Sequence, residues 1–164
     1  MTYQAPAETR VGHIHLKVTD LERSIAFYRD VLGFDVKLRY GSQAAFLAAG
    51  DYHHHIGLNT WHSAGRDPVK RDAAGMYHVA FVYPDRKALG LAVGNAIDNG
   101  VNVYGAADHG VSEAVYFDDP DGNGIELYWD RDPSLWERDA DENAQMINAP
   151  LDVAALVEEA RAAS

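Results

Sequence analysis

The feature that most restricts the fold of this 164-residue chain is a pattern that occurs twice. The first copy opens on Val11–Val18, whose alternating character predicts a half-buried strand. Thr19 and Glu22 then have the spacing of a capping box, in which the first caps a helix and the second reaches back to the cap. Leu21, Ile25, Tyr28 and Leu32 recur at helical spacing, and Gly33 supplies a left-handed stop. Three short strands are predicted after it, over Phe34–Tyr40, Gln43–Ala48 and His53–Asn59. The second copy opens on Met76–Val82. A helix follows from Pro84-Asp85 to about Asn99, where Gly100 ends it. Its strands are predicted over Val101–Tyr104, Glu113–Phe117 and Gly124–Trp129, the last two joined by the turn Asp119-Pro-Asp-Gly-Asn-Gly124. His13 stands 20 residues before Gly33, and His78 stands 22 before Gly100.

Each copy therefore reads strand–helix–strand–strand–strand, and neither can bury both faces of its sheet alone. The expected fold class is α+β: two βαβββ repeats whose curled sheets enclose a shared cavity, with the helices outside. The expected organisation is a tail over 1–10 and a single domain over 11–131, with repeat one at 11–61 and repeat two at 75–131. A C-terminal extension over 132–164 follows. The polar segment His62–Ala74 joins the copies. Within the extension, Arg131–Ala144 reads as irregular surface and Leu151–Ala163 as a helix, packed on the outside or on a partner subunit.

Composition narrows the chemistry. A chain of this length buries roughly two thirds of its unfolded surface, enough for a core without staples. Cysteine is absent, which removes disulfides, zinc–thiolate sites and thiol nucleophiles. His, Asp, Glu and Tyr remain. A formal charge of −11 argues against nucleic acid and anionic membrane as partners. The acidic stretches Asp118–Asp121 and Asp139–Glu142 read as a turn and a solvated surface. No apolar run is long enough to span a membrane, and the polar Met1–Arg10 lacks the core of a signal peptide, so a cytoplasmic location is expected.

Superposing the repeats on their first strands places His13 on His78. The last strands then align His55-Ile-Gly-Leu58 with Gly124-Ile-Glu-Leu127, so Glu126 corresponds to Gly57. His13, His78 and Glu126 would thus point into the shared cavity. Two imidazoles and one carboxylate on one face of an octahedral ion leave three positions open, the donor set of non-haem Fe(II) oxygenases. Mn(II) fits the same donors. His15 shares the strand phase of His13, but His13 is the residue that matches His78.

The segments Gly12–Tyr28 and Asp119–Glu126 resemble the vicinal oxygen chelate superfamily, which includes glyoxalases, bleomycin-resistance proteins and extradiol dioxygenases. The likeness covers about 11–131. A narrower likeness, to type I extradiol (catechol 2,3-) dioxygenases, rests on His109, Val115-Tyr116, Asp119-Pro120, Gly122 and Glu126 in that family's order. Ala107 departs from the usual residue two before the histidine. The resemblance implies an oxidoreductase in which His13, His78 and Glu126 bind Fe(II), and which opens a catechol next to its hydroxyls with O2. It also implies that Tyr116 bonds a substrate- or dioxygen-derived oxygen and that His109 lines the pocket and bonds the catecholate. Such enzymes carry an acid–base histidine, sought here among His53, His54 and His55. If Gly57 faces the cavity, strand phase sends His53 and His55 with it and turns His54 away. His55 is therefore the expected acid–base residue and His53 a substrate contact. Phe46, Phe81, Tyr104, Tyr128 and Trp129 could line a ring-sized pocket. The expected partners are a small aromatic diol, O2 and a second copy of the chain, as a homodimer or higher homo-oligomer.

Three other readings share the fold. A glyoxalase-like isomerase or lyase uses four protein ligands, and the fourth position is Gly57 here. A fosfomycin-type thiol transferase shares the three-ligand set, but its phosphonate needs basic residues, and Lys17, Arg39 and Arg86 are not evidently so placed. A metal-free binding protein of the bleomycin-resistance type lacks the ligands this chain retains.

Overall fold

The computed structural model describes residues 2–70 and 72–164. It has the expected α+β architecture of two mixed sheets and falls into two compact units, Met1–Asp67 and Pro68–Ser164, with the boundary in the polar connection.

The first unit runs β1 (Ile14–Lys17), α1 (Leu21–Ala26), β2 (Asp35–Tyr40), β3 (Ala44–Ala48) and β4 (Ile56–Asn59). A π-type turn over Phe27–Val31 prolongs α1. The sheet order is β1-β4-β3-β2, with β1 parallel to β4 and the other pairs antiparallel. Val18, Ile25, Tyr28, Leu47, Ile56 and Leu58 are all but inaccessible to water and form the core under α1. Each such aliphatic side chain contributes about 1.5–3 kcal/mol relative to exposure.

The second unit runs β5 (Val79–Val82), α2 (Arg86–Asp98), β6 (Gly105–Asp108), β7 (Ser112–Asp118), β8 (Gly124–Asp130), β9 (Ala149–Pro150) and α3 (Val153–Ala162). Its order is β5-β8-β7-β6-β9, and β5 is again parallel to β8. The core is Leu89 and Val93 of α2, Phe117, Ile125 and Leu127 of the sheet, and Leu156 of α3.

The structure departs from the sequence reading at several ends. The cap of α1 is Asp20, not Thr19: its carboxylate accepts the Arg23 amide at 3.1 Å, while Glu22 turns outward to pair with Arg39. The opening strands are shorter than expected, so His13 and His78 each stand immediately before one, the same place in both repeats. The last strand of repeat one starts at Ile56, leaving His53–His55 in the approach to it. In repeat two the strand expected at Val101–Tyr104 lies at Gly105–Asp108. The Val101 amide is taken by the Ala96 carbonyl in closing α2, so the chain must clear the helix before it can pair.

The extension is more regular than expected. Its acidic stretch repeats the β7–β8 turn bond for bond. Asp119 Oδ1 accepts the amides of Asp121 and Asn123 at 2.9 and 2.8 Å, and Asp139 Oδ1 accepts those of Asp141 and Asn143, both at 2.9 Å. The left-handed position is Gly122 in one turn and Glu142, at φ 64°, in the other. α3, capped by Asp152, then packs on α2 within the same unit. Arg161 bonds Asp98 at 2.5 Å, and Arg86 bonds both Glu113 and Glu159. Among the described residues no helix is long and apolar enough to cross a membrane.

The two helices approach closely because Gly90 and Gly94 line the contact. A Cβ at residue 90 would lie 2.6 Å from both the Ala160 Cβ and the Leu156 carbonyl oxygen. On helix propensity alone Gly90→Ala would stabilise by about 1 kcal/mol. The overpacking reverses that sign, and urea denaturation should show a loss of about 1–3 kcal/mol.

Candidate metal centre

The register of the second sheet sets Ala80, Glu126, Tyr116 and Gly105 side by side across neighbouring strands. His78, immediately before β5, reaches the same face through its contact with Glu126. The side chains are joined in a chain of contacts. His78 Nε2 lies 2.9 Å from Glu126 Oε2, the Tyr116 hydroxyl lies 3.0 Å from Glu126 Oε1, and His109 Nε2 lies 2.9 Å from the same hydroxyl. Glu126 is largely buried and His78 is about one third exposed, so solvent reaches the pair from the imidazole side. Burial, and then the bond to Glu126, push the Tyr116 phenol above its ordinary pKa, so it keeps its proton and remains a donor at neutral pH.

Two donors each about 2.1 Å from an ion and at right angles stand about 3 Å apart, so the His78–Glu126 pair has the spacing of one edge of an octahedron. Imidazole and carboxylate also suit a divalent iron or manganese ion. Among the described residues no three His, Asp or Glu side chains gather closely enough to cage an ion by themselves. His78 and Glu126 are brought together in one unit, and His13 belongs to the other.

In the first unit the register is the same one, shifted onto different residues. Gly57 pairs with His15 on one side and Phe46 on the other, so Gly57 occupies the place of Glu126, His15 that of Ala80 and Phe46 that of Tyr116. The space a side chain would take at residue 57 is filled by the His15 ring, which a Cβ would meet at 2.9 Å. His13 lies against His54 with ring centroids 4.4 Å apart and the planes tilted by 50°, and His54 in turn lies against Phe46 at 5.0 Å. His53 Nδ1 is 2.7 Å from His54 Nδ1, close enough for the two rings to share one proton.

The strand-phase expectation for the 53–55 run is corrected here. These residues precede β4, so the alternation that holds within the strand does not extend to them. His54 is the one beside His13. His55 lies against Phe34 and Tyr52, and its Nδ1 accepts the Ala49 amide at 3.3 Å. Sequence reasoning also missed His15 as the group that closes the Gly57 position, and Ile147, whose carbonyl lies 3.0 Å from His109 Nδ1. No pattern in the sequence marks a backbone carbonyl 38 residues away as a partner.

Residues 10–127 match the model of the Glyoxalase/Bleomycin resistance protein/Dioxygenase superfamily. The chain belongs to this superfamily. It is 43% identical over 153 residues to a catechol-2,3-dioxygenase of Bacillus subtilis (strain 168), an alignment covering 93% of this chain and 53% of that protein. It is 30% identical to biphenyl-2,3-diol 1,2-dioxygenase 3 of Rhodococcus globerulus, over 74% of this chain and 63% of that one. The chain thus spans between half and two thirds of these dioxygenases. A metallothiol transferase of Staphylococcus epidermidis is 33% identical over 73% of this chain and 81% of its own length. Among solved structures, a glyoxalase/dioxygenase from Nostoc punctiforme superposes with a TM-score of 0.65 at 23% identity, covering 80% of this chain and 99% of that one.

Two outcomes follow from this geometry. Gly57→Ala must displace the His15 ring and should cost about 1–3 kcal/mol by urea denaturation. Burial, and then neighbouring histidines, hold His15, His54 and His55 below their ordinary pKa. The folded state therefore favours their neutral forms, and the unfolded chain binds more protons. Their contribution is present above about pH 6.5 and lost as pH falls through the lower folded values. In chelator-treated protein the urea midpoint should fall as pH is lowered from about 7.5 to 5.5, and His54→Gln should flatten that slope.

Proposed function

We propose that the chain is an extradiol ring-cleaving dioxygenase that opens a catechol next to its hydroxyls, with His13, His78 and Glu126 holding Fe(II). Mn(II) would suit the same donors. The observation that carries the reading is the chain His78–Glu126–Tyr116–His109, in which the residues of the extradiol pattern run directly onto a metal-spaced imidazole–carboxylate pair. When bound, the ion would supply a redox-active Lewis acid beside these residues.

The chain's own residues have separable tasks. Tyr116 keeps its proton and offers it to an oxygen on which charge develops. His109 presents Nε2 toward the same hydroxyl and orients the substrate. The acid–base role belongs in the 53–55 run, and the contact with His13 favours His54 over His55. Burial keeps His54 neutral at pH 7, and the short contact to His53 gives it a place to hold or return a proton. Phe46 offers an aromatic wall beside His54. A homodimer or higher homo-oligomer working in the cytoplasm is part of the same proposal.

A second metal-dependent reading, thiol transfer, is favoured by one observation: the transferase relative is matched over 81% of its own length. The four-ligand isomerase reading is disfavoured by the His15 ring over Gly57.

The test is anaerobic loading with Fe(II), followed by air and a panel of catechols, with oxygen uptake and product absorbance followed together. A yellow ring-opened product is expected. His13→Ala and Glu126→Ala should lose bound iron, and Tyr116→Phe should keep it while kcat falls about a hundredfold. Tight metal binding with no oxygen uptake for any catechol would sink the dioxygenase reading and leave thiol transfer.

A further inference from the structure

We infer that Ile147, in the C-terminal extension, is a positioning residue for His109: its backbone carbonyl fixes which ring nitrogen of His109 carries the proton. The role of His109 in catechol cleavage rests on the function proposed above, whereas the placement of its proton does not.

The argument begins with the polarity of one contact. His109 Nδ1 lies 3.0 Å from the Ile147 carbonyl oxygen. A carbonyl oxygen only accepts, so Nδ1 must carry the hydrogen. In the neutral ring this leaves Nε2 bare and turned to the Tyr116 hydroxyl 2.9 Å away. Tyr116 has one proton and two neighbours able to take it, His109 Nε2 and Glu126 Oε1. The Ile147 carbonyl thus decides that a neutral His109 meets this hydroxyl as an acceptor. With the opposite tautomer Nε2–H would instead donate to the phenol oxygen, and Nδ1 would face the carbonyl lone pair to lone pair.

The surrounding chain is built to hold this contact. The Ile147 amide returns a bond to the His109 carbonyl at 3.0 Å, so the two residues are tied at backbone and side chain together. β9 continues the pairing, with Asp108 opposite Ala149 and Ala107 opposite Pro150. From the other side Arg131 clamps the turn, bonding both Asp108 carboxylate oxygens and the Gly110 carbonyl. Gly110 has φ +78°, and a Cβ there would press on Ile147 Cγ1 at 3.3 Å, so the close approach requires glycine. Ile147 also lies outside the superfamily match, which ends at residue 127. The extension therefore completes the site by setting a proton that the matched domain leaves open.

The measurement is a long-range proton–nitrogen correlation spectrum of full-length, metal-free protein labelled with 15N-histidine, at a pH where the ring is neutral. His109→Gln assigns the resonance by its disappearance. His109 should show a protonated Nδ1 and a bare Nε2, the minority tautomer of free histidine. Ile147→Pro, which removes the amide half of the tie, should lose that signature, while Ile147→Ala, which keeps the amide, should retain it and serves as the folding control. A bare Nδ1 in the wild type, or an unchanged signature in Ile147→Pro, overturns the inference. The spectrum is indifferent to turnover: if no catechol is cleaved but Nδ1 is protonated, only the proposed function falls.

Discussion

The parallel pairing of the first and last strand in each repeat is the constraint on which the rest of the structure depends. In a parallel pair the side chains opposite one another are fixed by register, and a slip by one residue would send every side chain to the other face. Here Ile14 meets Ile56 and Val79 meets Ile125, the same register twice. It keeps Ile56 and Ile125 in the core. The same alternation turns the next residue of each last strand to the opposite face, where Glu126 meets His78 and Gly57 meets His15. The burial of two isoleucines thus positions the polar face of each sheet.

From that common frame the repeats have diverged at a few positions. Where repeat two has Ala80 and Glu126, repeat one has His15 and Gly57, so the imidazole lies over the glycine and no second carboxylate enters. Phe46 stands where Tyr116 stands, an apolar ring in place of a hydroxyl. The outcome is one face with a hydrogen-bonded carboxylate and one with a cluster of histidines held below their ordinary pKa by burial and by one another.

The extension belongs to the second unit in structure as well as in sequence order. α3 closes over the glycine-lined face of α2, Arg131 joins Asp108 to the buried Glu113, and β9 covers the free edge of β6, with Pro150 at the outermost strand where a missing N–H costs nothing. A segment that reads as surface decoration therefore reaches the ring of His109.

Much of this was legible in the sequence because it is local. The strand and helix periodicities, the Gly33 and Gly100 stops and the Asp119 turn are set by neighbours along the chain, and the equivalence of His13 with His78 follows from counting between two copies. The ends of strands were less legible, since a strand begins where its partner allows. Val101 is spent on closing α2, and His53–His55 lie before β4, where alternation no longer governs them. Tertiary structure alone decided which of those histidines meets His13, what fills the space at Gly57 and what holds His109. Each depends on a contact between residues far apart in sequence, and a backbone carbonyl such as that of Ile147 carries no residue signature at all. The sequence by itself determined which groups were available and which strand positions they occupy, because side-chain chemistry and strand period are properties of the chain. Tertiary structure decided their partners and the direction of their protons, because those depend on distances that only the packed chain defines.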